Sequence, residues 1–462
     1  MRFNSFEFAV FFAVLVALLP FFPRGKPRTS LLLVASYVFY GSWNWGFLLL
    51  LWFTTLLDYG FGLAISATEV PWQRRLCLWI SIFANLGFLF YFKYGNFFLD
   101  NVAFISGIDP EPYYLRIVIP LGISFYTFHT MTYTIDVYRR RVETCRGLLD
   151  FALYVAFFPQ LLAGPILRAG HFIPQLKRTE PVRDDELLSG LELFCVGLFQ
   201  KVVVADNMAT LADKVFADPS QWSAAAIVLG TLAFWVQIYC DFAGYSTMAR
   251  GLGRWLGFEI PRNFNYPILQ TSPREYRAAW HMTLGQWFSD YVYKPLGGSR
   301  AGDLRLLRNI FITWTLTGLW HGASWHFVIW GVYNAVLLCG YVMWTRHVPW
   351  RLPDFRGKNI LHWLGQTASM LPSIALFRVG DVAAFKSLML RVFSWEAGKD
   401  APLQWPLAIA LLGIVHVVCY FHYKEDLLQK LRWPARIGLV SSAAALIALL
   451  AATSRPFIYF QF

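Results

Sequence analysis

"NIFITWTLTGLWHGASWHFVIWGVYNAVLLCGYVMWT", residues 309–345, contains no Asp, Glu, Lys or Arg. A bilayer core of about 30 Å is crossed by roughly 20 apolar residues in a helix, so this run is long enough for two elements. Apolar runs of helical length recur along nearly the whole chain, at 6–22, 30–42, 46–66, 76–92, 114–131, 151–163, 188–205, 222–245, 405–421 and 438–452. Over the 462 residues, 57% are hydrophobic and only 15% charged. A soluble domain carries about 25% charged residues, so the polar surface here is too small to cover a soluble globule. The reading is an all-α, polytopic integral membrane protein with about ten to twelve helices, some of them re-entrant or broken.

The first run, "FEFAVFFAVLVALLPFF", is longer than the apolar core of a signal peptide and lacks a small-residue cleavage site. The basic residues Arg24, Lys26 and Arg28 follow it, so it reads as a retained first helix. The net charge of +12 gathers between the apolar runs, at Arg139–Arg141, Lys177–Arg178, Arg250 to Arg262 and Arg300 to Arg308. Positive-inside anchoring against anionic lipid explains that pattern; a basic vestibule for an anionic donor or polymer is the sharper alternative. No nucleic-acid motif is present. The cysteines at 77, 145, 195, 240, 339 and 419 are scattered, mostly within apolar runs, and form no CxxC site.

No linker and no internal repeat divides the chain, which reads as a single membrane domain, 1–462. Its broadest break in hydrophobicity spans about 246–308. There Thr271 or Ser272, followed by Pro273 and Glu275, marks a helix start. From that point to about Val292, Tyr276, Trp280, Met282, Leu284, Trp287 and Tyr291 suit one amphipathic helix at the membrane interface or dipping into the bundle.

Polar groups within membrane runs are costly and each is a functional candidate. Gln237, Asp241 and Tyr245 recur every four residues and share a helix face. They form either a polar seam between helices or one wall of a substrate passage. Ser124, Thr127, Thr130 and Thr134 make a hydroxyl stripe, with His129 beside it reading as a satisfied buried polar group. Pro159, Gly164, Pro165 and Pro174 break the stretch that holds Gln160, Arg168 and His171, making 157–172 a candidate channel wall.

His321 and His326 are five residues apart, about 140° around an α-helix, so they are poorly placed to share a metal. With no HExxH, CxxC or carboxylate triad, no metal site is expected. Gly318, Gly322, Ala323 and Ser324 leave room beside His321, either for a thin substrate or for close helix approach. Trp320 and Trp325 would exclude water from it. A desolvated, neutral imidazole can take a proton from a hydroxyl as that oxygen attacks an acyl carbonyl. His281, in "AAWHMTLGQW", is a second acid/base or orienting group.

These stretches resemble the membrane-bound O-acyltransferase family. The likeness rests on "GLWHGASWHFVIWG", "WHMTLGQWFSDYVYKPLGGSR", "QIYCDFAGYSTMARGLGRWLGF" and "PLGISFYTFHTMTYTIDVYR", supported by "FFPQLLAGPILR" and the terminal "RPFIYFQF". It extends from about residue 5 to 462. The bacterial branch serving alginate O-acetylation and teichoic-acid D-alanylation is the nearest. Two stretches depart from the family pattern. "EYRAAWH" stands where "FWRRWH" is usual, and "DFAGYSTMARG" where "DFSGYSDIAIG" is usual.

The resemblance implies a funnel of about eleven spans with the active histidine near its base. That histidine is His321, with His281 near the passage. It also implies transfer of an acyl group, with acetyl the expected one, from a cytoplasmic thioester to a hydroxyl acceptor beyond the bacterial inner membrane. The donor would be acetyl-CoA or a phosphopantetheine acyl carrier protein. A periplasmic SGNH-type acetyltransferase would be the partner and an alginate-like exopolysaccharide the acceptor, with teichoic-acid-type D-alanyl transfer or other cell-envelope O-acylation as the alternative. A transporter or an export scaffold is the competing class. Transporters often show paired internal symmetry and matched buried charges, and neither is read from this sequence.

Overall fold

The computed structural model describes residues 1–300, 302–349, 357–424, 431–451 and 455–458. Among these the chain is helical, without strands; one isolated bridge pairs Trp222 with Lys399. The chain forms two compact units, Met1–Phe194 with Tyr245–Pro261, and Cys195–Gly244 with Arg262–Phe462.

The first unit holds α1 (Phe6–Leu18), α2 (Lys26–Gly41), α3 (Gly46–Ala67), α4 (Pro71–Leu89), α5 (Gly95–Ser106), α6 (Ile123–Tyr138), α7 (Leu148–Ala156) and the short α8 (Phe158–Leu161) and α9 (Ala169–Phe172). The last two are the fragments expected from the prolines and glycine of 157–172. Helix α10 (Asp184–Phe199) runs from this unit into the second. Three helices of the first unit meet on a polar knot. Asp58 on α3 is fully buried, and its Oδ1 accepts from Ser81 Oγ at 2.5 Å and from Thr134 Oγ1 at 3.2 Å. Its Oδ2 accepts from Asn85 Nδ2 at 2.8 Å, and Thr130 Oγ1 donates to Asn85 Oδ1 at 3.1 Å. The hydroxyl stripe is therefore interhelical. His129 sits beside it, half satisfied: its Nε2 accepts from the Leu167 amide at 3.1 Å, while its buried Nδ1 has no partner among the described residues.

The second unit contains α11 (Asp206–Ala217), α12 (Ala224–Leu256, whose last turns belong to the first unit), α13 (Pro273–Ala279), α14 (Met282–Phe288), α15 (Asp303–His321), α16 (Trp325–His347), α17 (Lys358–Arg378), α18 (Val382–Phe393), α19 (Gln404–Lys424) and α20 (Trp433–Leu450). Ser272 caps α13, its side chain accepting from the Glu275 amide at 3.3 Å, with Pro273 at the first turn. The single helix expected from there to Val292 is instead two short helices and a π turn at Ser289–Tyr293.

Seven helical runs among the described residues are long and apolar enough to cross a bilayer, and Phe6–Phe21 is a shorter apolar one. Their burial sorts them. The apolar window of α12 is 67% buried, whereas those of α19 and α20 are 6% and 0% buried. Leu411, Ile414 and Val418 on α19 are all more than half exposed. An apolar helix with nothing of its own chain over it is stable only where lipid takes the place of a core. The chain is a polytopic membrane protein.

Helices α15 and α16 are joined by Gly322–Ser324 and pack backbone to backbone. A Cβ on Gly318 would come 2.2 Å from the Phe327 carbonyl oxygen, and one on Gly331 would come 2.4 Å from that of Trp314. Neither obstacle is a side chain that can turn aside. Gly318→Ala and Gly331→Ala should therefore each destabilise by about 1–3 kcal/mol, through overpacking. The measurement is a lowered thermal midpoint in detergent. Gly340→Ala on α16, where nothing lies within 4 Å, should not lower it.

Candidate active site

His321 is the last residue of α15, and Gly322 leaves the helix in an extended conformation (φ −166°, ψ 152°). Trp325 starts α16 three residues later. The WHG stretch is thus a corner between two helices, not a point within one helix over 309–345. The angular argument that set His321 and His326 apart on a common helix does not apply. His326 begins the second helix, and its Nδ1 lies 2.7 Å from Ser324 Oγ. His321 lines a cavity from the same face of α15 as Trp314 and Thr317, and aromatic rings of α15, α16 and α17 enclose it. Trp320, Trp330 and Phe377 have centroids 5.0, 5.0 and 5.2 Å from the imidazole.

His281 also sits where a helix breaks. It separates α13 from α14 with φ 41° and ψ 56°, in the left-handed region that a non-glycine residue occupies at a cost of about 1–3 kcal/mol. Asn263 holds the turn. Its carbonyl accepts from the Met282 amide at 2.8 Å, and its Oδ1 accepts from the Thr283 amide at 3.2 Å and from Thr283 Oγ1 at 2.9 Å. On the other side of the break, the Asn265 amide donates to the Ala279 carbonyl at 2.9 Å. The His281 ring is 2% exposed, with Phe242 edge-on at 4.6 Å and Trp320 at 5.9 Å. Burial pushes it down to about 3, well below the ordinary histidine range. Trp320 therefore contacts both imidazoles.

The two histidines line one cavity of about 70 Å³, together with Arg277, Trp330, Asn334 and Ser373 among others. Every residue of its wall belongs to the second unit. A water occupies roughly 10–15 Å³ on this measure, so the space beside the rings holds a few water-sized groups. Asn334 and Ser373 are tied together, Nδ2 donating to Oγ at 3.0 Å. Among the described residues, no group of three or more His, Cys, Asp or Glu is arranged to hold a metal ion.

The other candidates from the sequence lie elsewhere. Gln160, Arg168 and Tyr245 belong to the first unit. Gln160 is fully buried with Nε2 donating to the Tyr154 carbonyl at 2.7 Å, and Tyr245 stacks on Phe3 at 4.5 Å. Trp325, expected to shield His321, is instead 55% exposed. Helix α12 runs unbroken through 237–245, but its contribution to the cavity wall is Ile238, not Gln237 or Asp241.

Asp241 is 2.8 Å from Lys201 Nζ, and its Oδ2 accepts from the Ile458 amide at 2.7 Å. Lys201 also pairs with Asp206 at 2.9 Å, and all three side chains are at most 6% exposed. Matched buried charges, not anticipated from the sequence, are therefore present. A π turn over Gln200–Ala205 makes the Lys201–Asp206 contact possible. Five residues on an α-helix would turn the two side chains about 140° apart, whereas i→i+5 bonding draws them together. The signal was available as a single lysine within the apolar run 188–205. Of the terminal "RPFIYFQF", Arg455 pairs with Asp213, and Phe457 and Ile458 are buried; 459–462 lie outside the described residues.

The fold and site together define a polytopic membrane protein in which two separate histidine motifs converge on one small aromatic cavity. The chain belongs to the membrane-bound O-acyltransferase family, whose sequence profile matches residues 146–375, and is an enzyme of that class. It is 34% identical to "Probable alginate O-acetylase AlgI" of Pseudomonas putida over 100% of both chains. It is also 34% identical to the peptidoglycan O-acetyltransferase of Helicobacter pylori, across 75% of this chain and 69% of that one. Identity to the teichoic acid D-alanyltransferase of Bacillus subtilis is 26%, across 57% of this chain and 70% of that one.

Two outcomes follow from this geometry. Asn263→Ala should destabilise by about 1–3 kcal/mol, because the amide and hydroxyl of buried Thr283 lose their shared acceptor. It should also weaken catalysis by releasing the His281 turn; thermal unfolding and activity at matched protein level measure the two effects. Lys201→Met should cost about 3–5 kcal/mol by leaving buried carboxylates without their counter-ion. Adding Asp206→Asn and Asp241→Asn to it should restore part of that loss. A triple variant less stable than the single one would rule out charge as the cause.

Proposed function

We propose that this enzyme transfers an acetyl group from a cytoplasmic thioester donor towards hydroxyls of an exported, alginate-like polysaccharide in the bacterial inner membrane. The observation that carries this reading is the meeting of His321 and His281 at one cavity of about 70 Å³, in a chain of this family. The volume favours a two-carbon acyl group, and relatives named for O-acetylation of alginate and peptidoglycan favour a polysaccharide acceptor.

In this reading the donor is acetyl-CoA or an acetylated phosphopantetheine carrier protein, and a periplasmic SGNH-type acetyltransferase completes delivery to the polymer. His321 is the general base. Its neutral imidazole accepts the proton of the attacking hydroxyl as that oxygen bonds to the thioester carbonyl carbon. The C–S bond then breaks, and the proton passes to the departing sulfur, so that the products are an ester and a free thiol. His281, held neutral by burial, orients the reactants from the opposite motif. Trp320, packed against both rings, excludes water that would otherwise hydrolyse the thioester. Asp241 serves the frame through Lys201 and does not touch substrate.

His321→Ala should lower ester-linked acetate on the exported polymer by about 100-fold or more at matched membrane levels, the scale of a lost general base. Full acetate at matched membrane levels would rule out His321 as the base.

A further inference from the structure

The cavity wall carries one arginine, and the proposed acyl transfer gives it no role. Arg277 lies on α13, one turn before His281, and lines the same cavity. Its guanidinium rests over the face of Trp314, with Cζ 5.4 Å from the ring centroid. Among the described residues it makes no hydrogen bond and no ion pair. The rest of the wall is aromatic, aliphatic or neutral-polar, apart from the two imidazoles. A guanidinium keeps its charge at any accessible pH, and this one is half-buried, so part of its edge is open to the cavity. The tryptophan covers one face of the planar group, while its N–H donors radiate from the edge. That edge is suited to a bidentate oxyanion.

We propose that Arg277 is the anion-recognition residue of this cavity, binding a phosphate or carboxylate of a substrate whose reacting atoms lie at the histidines. The shared chemistry is a pair of oxygens carrying negative charge. It has two sources under the proposed function, on which this inference rests for its substrates: the phosphate ester of a phosphopantetheine-type donor arm, or the carboxylate of a uronate acceptor.

The test measures binding without turnover, using calorimetry on the detergent-purified full chain. Two pairs of probes are used. Acetyl-phosphopantetheine is compared with acetyl-pantetheine, and a uronate tetrasaccharide with its carboxyl-reduced counterpart. The wild type should bind the charged member of one pair about tenfold or more tightly than the neutral one, as a charge-assisted bidentate contact does. Arg277→Gln should abolish that preference, and Arg277→Lys should retain part of it. A preference within the first pair assigns the anion to the donor, and one within the second assigns it to the acceptor. Arg277→Met serves as the uncharged variant if the glutamine variant fails to fold. Equal affinity of the wild type within both pairs overturns the proposal, as does a preference that survives removal of the charge. His321→Ala should keep the preference. An acetylation defect absent in His321→Ala would sink the base assignment while leaving this binding result to stand or fall alone.

Discussion

In lipid, a polar side chain has only the protein to bond with, and that constraint organises both units of this chain. The two units satisfy it differently. Asp58 is surrounded by neutral donors from two neighbouring helices, so a single carboxylate ties α3, α4 and α6 together without any cation. In the second unit Asp241 is held by a lysine that also serves Asp206, and by a backbone amide near the C-terminus. The first arrangement fixes packing by hydrogen-bond geometry, the second by charge. Both are costly to break from one side only, since the remaining partner has no solvent to turn to.

Much of the fold was legible because membrane helices advertise themselves by length and apolarity, and prolines and glycines advertise breaks such as those in 157–172. The start of α13 was legible too, since Ser272 and Pro273 form a local signal that needs no tertiary information. The break at His281 was not. A non-glycine residue in the left-handed region carries no sequence mark, and the Asn263 contacts that hold it come from a loop about twenty residues upstream. The amphipathic spacing of Tyr276, Trp280, Leu284 and Trp287 concealed it, because each half keeps the helical period. Lys201 escaped notice for a related reason: its partner lies at i+5, a spacing that means contact only once the helix widens to a π turn.

Recognition of "WHG" and "WH" pointed to the two histidines, while the structure supplies the reason they can meet. Within a continuous helix, a side chain faces whatever that helix packs against, lipid or a neighbouring helix. At a break, the backbone direction changes and the side chain can project into space that no helix axis occupies. His281 interrupts α13 and α14 and takes such a position, whereas His321, at the end of α15, reaches the same wall from the face that also carries Trp314 and Thr317. The close backbone contact of Gly318 and Gly331 serves the same end, since it sets how α16 returns beside α15 and thus where Trp330 and Asn334 stand relative to His321.

The rest of the wall is built from helix faces: Trp314 and Thr317 on α15, Trp330 and Asn334 on α16, and Ser373 and Phe377 on α17, each pair three or four residues apart. Gln237 and Asp241 lie outside the wall because α12 presents Ile238 to it, while Arg277, one turn before the break at His281, lies within it. The charged groups divide the labour. Lys201, Asp206 and Asp241 hold helices, while Arg277 lines the cavity with its guanidinium over the Trp314 ring. A site assembled from a helix break and several helix faces needs rigid supports behind each, and the buried ion cluster, the Asn263 brace and the glycine contact are those supports.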